Sequence, residues 1–196
     1  MIKTEEVREF FDRLAPGWDD DMVRNEEVIT RILDEADISA GLDILDVACG
    51  TGVLIPDYLK RGVSSVTGID LSSKMAAIAA EKFPQPEVTI LCGDAAAYDF
   101  DRCFDRIMIY NAFPHFPDPG KMIEALSRFL KPGGRLTVAH GASREKIDAH
   151  HHGAARNVSL GLMPAEDLKA LFESKGLTVT AVISDERMYQ VVGCKA

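Results

Sequence analysis

The stretch "LDILDVACGTGVL", residues 42–54, decides the fold of this chain. Its first half is apolar and short enough to be a buried strand of a parallel sheet. Small residues follow from Ala48 to Gly52, and Val53-Leu54-Ile55 begins a helix-like run. A strand, a glycine turn and a helix make the first unit of a nucleotide-binding α/β domain, in which glycines let a ligand approach the backbone closely.

The length and composition predict one soluble globular domain over residues 1–196, because 46% of the residues are hydrophobic and 27% are charged. The net charge of −9, with no basic run, argues against DNA or RNA as a partner. No apolar run approaches the ~20 residues of a membrane span, and the first residues do not open a signal peptide. The four cysteines show no paired spacing, which favours a reduced, cytoplasmic protein without a disulfide frame or zinc site. The oligomeric state stays open, with a homodimer as one option.

Two helices are predicted ahead of the first strand. Val7, Phe10, Phe11 and Leu14 recur at helical spacing and predict an amphipathic helix over residues 3–14, which Pro16-Gly17 ends. A second helix is predicted over residues 20–36. We assign residues 1–40 to an N-terminal helical lid and residues 41–196 to the core.

Strands and helices then alternate, which is typical of a doubly wound parallel α/β sheet with helices on both faces. The last two predicted strands are joined only by Asp185-Glu186. A parallel crossover needs far more chain, so these strands must form an antiparallel hairpin. Strands are predicted at 43–48, 65–69, 88–92, 104–110, 134–140, 177–184 and 187–193, and helices at 53–61, 73–83, 119–130, 143–152 and 165–175.

The carboxyl ends of the strands are where an open α/β sheet binds its ligand. Asp70 ends the second strand, 20 residues after Gly50, where an acid can accept both hydroxyls of an adenosine ribose. The alternative is that Asp70 only caps the helix that begins at Ser72 or Ser73. A nicotinamide fingerprint would place a third glycine at Ile55, and no Gly-Lys-Ser/Thr follows the turn, so a bound phosphate is disfavoured.

Five segments in order resemble the motifs of class I S-adenosylmethionine-dependent methyltransferases: "LDILDVACGTG", "GIDLSSKM", "CGDAAAYDF", "FDRIMIYNAFPHF" and "LKPGGRLTVAH". The opening "FFDRLAPGWDDDM" resembles that of quinone-type and related small-molecule methyltransferases. The resemblance implies a Rossmann-like seven-stranded sheet of order 3-2-1-4-5-7-6, with six parallel strands, one antiparallel strand and N-terminal lid helices. It also implies S-adenosylmethionine as the cofactor.

The resemblance further implies a cofactor site. In it, Asp46 and the turn face the methionine, Asp70 holds the ribose, Leu71 and Met75 flank the adenine, and Asp94 with Ala95 meets the adenine edge. Asn111 and Ala112 approach the sulfonium, and we expect Trp18 to cover the cofactor. The turn residues are Ala48, Cys49, Gly50, Thr51 and Gly52, and Cys49 is interpreted as a small lining residue rather than a nucleophile.

The expected reaction is an in-line transfer of the methyl group to a small-molecule acceptor, which needs a base only if the acceptor loses a proton. All five histidines follow the fourth or fifth strand. His115 or His140 is the candidate base; a metal site and, for His150 to His152, a solvated helix end are the alternatives, and we assign no metal ligand. Arg144, Lys146 and Arg156 are candidates to meet an anionic acceptor. A non-catalytic cofactor-binding or scaffold protein and, less favoured, an NAD-dependent oxidoreductase are the competing functions.

Overall fold

The computed structural model describes residues 2–20, 22–151 and 155–196 of the chain, and these ranges contain one seven-stranded sheet. The strand order is β3-β2-β1-β4-β5-β7-β6. Pairing is parallel from β3 through β5, whereas β7 is antiparallel to both of its neighbours. The predicted fold and the predicted hairpin are therefore confirmed. The strands are β1 (Asp43–Val47), β2 (Ser65–Asp70), β3 (Val88–Cys92), β4 (Phe104–Tyr110), β5 (Leu130–His140), β6 (Leu177–Ser184) and β7 (Tyr189–Lys195).

Seven α-helices are described. They are α1 (Thr4–Leu14), α2 (Glu26–Glu35), α3 (Ile55–Lys60), α4 (Ser73–Lys82), α5 (Pro119–Arg128), α6 (Arg144–His151) and α7 (Ala165–Ser174). No helix among the described residues is both long and apolar enough to cross a membrane.

Helix α2 begins later than the sequence predicted. The prediction of helix from residue 20 was wrong, because the side chain of Asn25 accepts a hydrogen bond from the Val28 amide (3.2 Å) and caps the helix there. Similarly, α3 is shorter than predicted because the residues before Ile55 belong to the turn and Pro56 stands in its first helical turn.

Strand β5 begins earlier than predicted, at Leu130 instead of residue 134. Helix α5 ends at Arg128 with Phe129 at the cap position, so the segment Lys131–Gly134 belongs to β5 and does not connect the helix to the strand. It forms an irregularity inside β5, where the register with β4 shifts and Gly133 takes a φ of +73°. The prediction missed this because Pro and two Gly residues read as a break in any strand pattern.

Two apolar clusters flank the sheet. Alternate residues of β1 point to opposite sides, so Leu45 and Val47 pack with α5 and α7, while Ile44 packs with α2 and α3. Helix α2 is therefore part of a core layer. Helix α1 instead contributes to a small third cluster. The two helices of residues 1–40 therefore pack in different clusters, and the assignment of these residues as one lid stays a prediction.

The glycine at position 52 is required by space as well as by backbone conformation. Gly52 has a φ of +88°, and a Cβ placed on it would lie 2.5 Å from Phe83. We predict that Gly52→Ala lowers the free energy of unfolding by about 2 kcal/mol or more, the sum of left-handed strain and overpacking. Urea unfolding measures this.

Gly133→Ala is the matched control. Gly133 also has a positive φ of +73°, but a Cβ placed on it would meet no heavy atom within 4 Å. Gly133→Ala should therefore lower the free energy of unfolding by about 1 kcal/mol, the contribution of left-handed strain alone. Equal losses for the two variants would contradict the role of Phe83.

Candidate active site

The carboxyl ends of β1, β2, β4 and β5 converge on one cavity of about 800 Å³. Among the described residues, it is lined by every predicted site residue except Asp46 and Gly52. Helix α1 and the segment after it close the cavity from the other side, with Phe10, Phe11 and Trp18 in its wall. The topology thus brings together predicted site residues that are up to 122 positions apart in the chain (Trp18 and His140).

The glycine turn after β1 has three left-handed residues: Ala48 with φ +55°, Gly50 with φ +57° and Gly52 with φ +88°. Ala48 is held there at the cost of steric strain, because alanine carries a Cβ. A Cβ on Gly50 would come no nearer to the surrounding atoms than 4.0 Å, at Trp18 Nε1. The Trp18 indole therefore lies within van der Waals reach of a side chain at position 50, and both residues line the cavity.

Asp70 holds the turn to the end of β2. Its Oδ2 accepts a hydrogen bond from the Gly50 amide (2.8 Å), and its Oδ1 accepts one from the Ser72 amide (2.8 Å). Burial raises the pKa of Asp70, and the two amides counteract that rise. Ser72, and not Asp70, is the N-cap of α4, since its Oγ accepts from the Met75 amide. A carboxylate has about four acceptor positions, so two remain for a ligand's hydroxyl groups.

Asp46 and Cys49 lie beneath the turn. Asp46 is 2% exposed, and its Oδ2 has no hydrogen-bond partner among the described residues. Burial, together with the charge of Asp70, raises the pKa of Asp46 to about 8. The Cys49 thiol is 2% exposed, and burial raises its pKa well above the ordinary value. A thiol that stays protonated is a poor nucleophile.

The wall beyond Asp70 contains the predicted adenine residues. Met75 and Ala95 are buried, while Leu71 and Asp94 are half-buried. One oxygen of Asp94 accepts a hydrogen bond from the Ala96 amide (3.0 Å), which fixes the carboxylate at the end of β3. This carboxylate lies at the rim of the same cavity as Asp70.

Asn111 joins the ends of β4 and β5. Its backbone is left-handed (φ +55°), its amide donates to the Ala139 carbonyl (2.9 Å), and its Oδ1 accepts from the Gly141 amide (2.9 Å). Asparagine tolerates this conformation better than most residues. The adjacent Ala112 is buried, so this corner of the cavity is narrow and rigidly bonded.

His115 and His140 are both buried in the cavity wall. His115 Nδ1 lies 2.8 Å from the Val158 carbonyl oxygen, and because a carbonyl only accepts, Nδ1 carries the proton. The His140 ring, at the end of β5, packs edge-on against Tyr189 with ring centres 6.0 Å apart. Among the described residues no group of three or more His, Cys, Asp or Glu side chains is placed to hold a metal. The hypotheses for the side chains of His150, His151 and His152 lie outside the described residues.

Two acids that the sequence reasoning missed join α1 and the segment after it to this site. Asp12 on α1 accepts a hydrogen bond from Ser72 Oγ (2.6 Å), and Asp19 accepts one from Thr51 Oγ1 (2.6 Å). The two members of each pair are 60 and 32 positions apart in sequence. No local pattern signals such partners, although both acids stand inside the quoted segment "FFDRLAPGWDDDM".

Comparison with known proteins assigns this arrangement to a family. Residues 44–134, which include the turn, Asp70, Asp94 and Asn111, match the family described as "Methyltransferase domain". This part of the chain is a methyltransferase domain. The predicted resemblance is thereby confirmed at the level of the domain.

Relatives with similar sequences are named as quinone methyltransferases. The demethylmenaquinone methyltransferase of Paenarthrobacter aurescens is 32% identical over 145 residues, which is 70% of this chain and 55% of that protein. The ubiquinone biosynthesis O-methyltransferase of Pseudomonas putida is 35% identical over 108 residues, which is 53% of this chain and 46% of that protein. The chain spans about half the length of the curated relatives that it matches.

A solved structure shares the fold of the methyltransferase domain. The magnesium protoporphyrin IX methyltransferase of Synechocystis, crystallised with bound S-adenosylhomocysteine, superposes with a TM-score of 0.72 at 16% identity, over 98% of this chain and 99% of that one. The similarity confirms the Rossmann-like sheet. The same protein was also crystallised with bound S-adenosylmethionine.

Asp46, in β1 two residues before Ala48, should make the free energy of unfolding fall as the pH rises. Unfolding returns its carboxyl to an ordinary pKa near 3.8, whereas in the folded protein the pKa is about 8. Between these values the folded state retains a proton that the unfolded state has lost, so the native state is progressively disfavoured. We predict that Asp46→Asn gains stability relative to the wild type from pH 5 to pH 8, by at most about 1.4 kcal/mol per pH unit.

Asp43→Asn is the control. Burial would raise the pKa of Asp43, but hydrogen bonds from Lys131, Ser65 and Arg102 outweigh it and bring that pKa to about 2. Asp43 is therefore ionised in both states across pH 5–8, and its variant should lose stability by the same amount throughout. Urea unfolding at three pH values gives both profiles, and parallel curves for wild type and Asp46→Asn would refute the raised pKa.

Proposed function

We propose that this protein transfers a methyl group from S-adenosylmethionine to a small, largely apolar acceptor. The observation that carries the proposal is the single cavity, which joins the glycine turn, Asp70 and Asp94 to the two buried histidines. Its volume of about 800 Å³ lies in the upper part of the range for small-molecule sites and suits a cofactor together with a compact acceptor.

The residues present fit the proposed cofactor. The turn lets a ligand approach the Gly50 backbone, and the remaining acceptor positions of Asp70 suit the two hydroxyls of a ribose. Met75 and Leu71 offer apolar contact to a purine, and Asp94 can accept from an exocyclic amine. Trp18 Nε1 lies 4.0 Å from the position of a Cβ on Gly50, which supports a role for the indole in covering the methionine end.

The acceptor end of the cavity is mainly apolar. Phe10, Phe11, Met22, Phe116 and Ile147 line it among the described residues. The basic residues that we considered for an anionic acceptor lie elsewhere: Arg144 donates to the Leu162 carbonyl, and Lys146 and Arg156 are exposed outside the cavity lining. The aromatic and aliphatic lining favours an aromatic acceptor, which agrees with the relatives named demethylmenaquinone methyltransferase and ubiquinone biosynthesis O-methyltransferase.

The chemistry needs little from the protein beyond positioning. The cofactor, when bound, supplies a methyl group already activated on a sulfonium. The chain orients the acceptor in line with it and excludes water by closing α1 over the cavity. Because Nδ1 of His115 donates to the Val158 carbonyl, its Nε2 is the basic nitrogen of the neutral ring and can take a proton from an acceptor hydroxyl. His140 is the second candidate for that role.

A cytoplasmic location, a homodimer and the exclusion of nucleic acid stay predictions.

The cofactor assignment is tested by titrating the ligand-free protein with S-adenosylhomocysteine in a calorimeter. Wild type should bind one ligand per chain, and Asp70→Ala should bind at least about tenfold more weakly, because a charge-assisted hydrogen bond contributes about 1.5–3 kcal/mol. Asp94→Ala, which leaves the bonds of the turn in place, should weaken binding as well. Asp99→Ala removes an exposed carboxylate on the same loop and should bind as wild type does.

The other function classes predict different results. If NADH binds and S-adenosylhomocysteine does not, the methyltransferase proposal is wrong and the oxidoreductase alternative stands. A second outcome is that S-adenosylhomocysteine binds but no quinol, catechol or phenol acceptor leads to conversion of S-adenosylmethionine to S-adenosylhomocysteine. The protein is then a cofactor-binding protein without turnover.

The histidine roles are separated by substitutions that keep the local hydrogen bond. Asparagine can place an N–H near the position of His115 Nδ1, so His115→Asn retains a donor for Val158 but removes the titrating nitrogen. We predict a fall in kcat of about 10²–10⁴-fold with a hydroxyl acceptor, and unchanged affinity for S-adenosylhomocysteine. His140→Asn is the comparison. Loss of kcat only in His140→Asn would move the base to β5, and full activity of both variants would mean that no histidine base is used.

A further inference from the structure

The segment that covers the cavity, residues 4–20, packs on one small apolar cluster; we call it the lid segment. The cluster has four buried members, which are Ile2, Val7, Ala155 and Val158, and Phe10, Phe11 and Leu71 pack against it. It is separate from the two clusters that flank the sheet. Because this cluster is small, the polar contacts of the lid segment with the core add to what holds it in position.

Asp12 fastens the middle of the lid segment to the loop that follows Asp70. Its Oδ1 accepts from Ser72 Oγ (2.6 Å) and from the Lys74 amide (3.3 Å), and its Oδ2 accepts from Arg8 (2.8 Å). Ser72 is 1% exposed, so its hydroxyl depends on Asp12 for an acceptor. The contact lies two residues from Asp70.

Asp19 fastens the end of the lid segment to the glycine turn. Its Oδ1 accepts from Thr51 Oγ1 (2.6 Å), and its Oδ2 pairs with Lys82 at the end of α4 (2.7 Å). Thr51 is 1% exposed, between Gly50 and Gly52. Asp20, the next residue, is exposed and forms no side-chain hydrogen bond or ion pair within the described part of the chain.

We propose that Asp12 and Asp19 are positioning residues that fasten the lid segment to the two halves of the cofactor site and thereby set how long the cofactor stays bound. One carboxylate joins the lid to the ribose loop, and the other joins it to the turn. Trp18 lies between them, against Gly50. For the cofactor to leave past Trp18, both hydrogen bonds must break. The part of the proposal that concerns retention rests on the proposed function, whereas the fastening itself does not.

The fastening can be measured without any ligand, because Trp18 is the only tryptophan of the chain. Acrylamide quenching of its fluorescence reports how open the lid segment is. Asp12→Ala and Asp19→Ala should each raise the quenching constant. Asp20→Ala, which removes the neighbouring exposed carboxylate, and Glu9→Ala, which removes an exposed carboxylate of α1, should leave it unchanged. Asp19→Asn, which keeps an acceptor oxygen for Thr51, should fall between Asp19→Ala and wild type.

Retention is measured by stopped-flow dissociation of S-adenosylhomocysteine, followed by the same fluorescence. Asp12→Ala and Asp19→Ala should raise the dissociation rate constant about tenfold, the equivalent of one lost hydrogen bond, and the two controls should not change it. Urea unfolding followed by tyrosine absorbance serves as the stability check, because a purely structural defect would lower the unfolding midpoint together with the lid signal.

Equal quenching in Asp19→Ala and Asp20→Ala would overturn the fastening. Increased quenching with an unchanged dissociation rate would overturn the role in retention. If wild type binds no S-adenosylhomocysteine, the proposed function fails, and the quenching series alone then decides whether these two acids fasten the lid.

Discussion

The two hydrogen bonds from the amides of Gly50 and Ser72 to the Asp70 carboxylate are the constraint on which the site depends. They join the turn after β1 to the loop after β2, and each amide nitrogen lies 2.8 Å from the carboxylate oxygen that accepts its hydrogen bond. The left-handed residues of the turn are strained or entropically costly, and such a backbone persists only where its surroundings hold it. The hydrogen bond from the Gly50 amide to Asp70 stabilises the turn in this conformation. The Gly50 backbone and the remaining acceptor positions of Asp70 therefore lie in one fixed relation.

A second carboxyl, that of Asp46, feels the charge of Asp70. Asp46 lies beneath the turn, and burial together with the charge of Asp70 raises its pKa to about 8. A protonated Asp46 avoids placing two negative charges under one turn. The free energy of unfolding therefore falls as the pH rises, because the native state retains a proton on Asp46 that the unfolded state releases. A functional site often contains such locally unfavourable groups, which the rest of the fold compensates.

The sequence was sufficient for the sheet and for the residues along its carboxyl edge. The five motif segments placed β1 to β5 in order, and the two-residue link before the last strand required an antiparallel hairpin. Contacts between remote segments could not be predicted. The start of β5 depends on an irregularity in its pairing with β4, and the position of α1 depends on the pairing of Asp12 with Ser72. A single sequence does not show which acid meets which hydroxyl. The start of α2 differs from these two, because its cap by Asn25 is a local contact with Val28.

The lid segment connects the two ends of the cavity through its aromatic side chains. Phe11 packs edge-on against His115, with ring centres 5.0 Å apart, and against Trp18, with ring centres 5.7 Å apart. One movement of α1 therefore displaces both the ring beside the candidate base and the indole beside the turn. In the proposed reaction, a closed lid segment would exclude water from both ends at once and favour methyl transfer to the acceptor over reaction with water. An open lid disturbs both ends together, so binding at the cofactor end and the geometry at the acceptor end are coupled through Phe11.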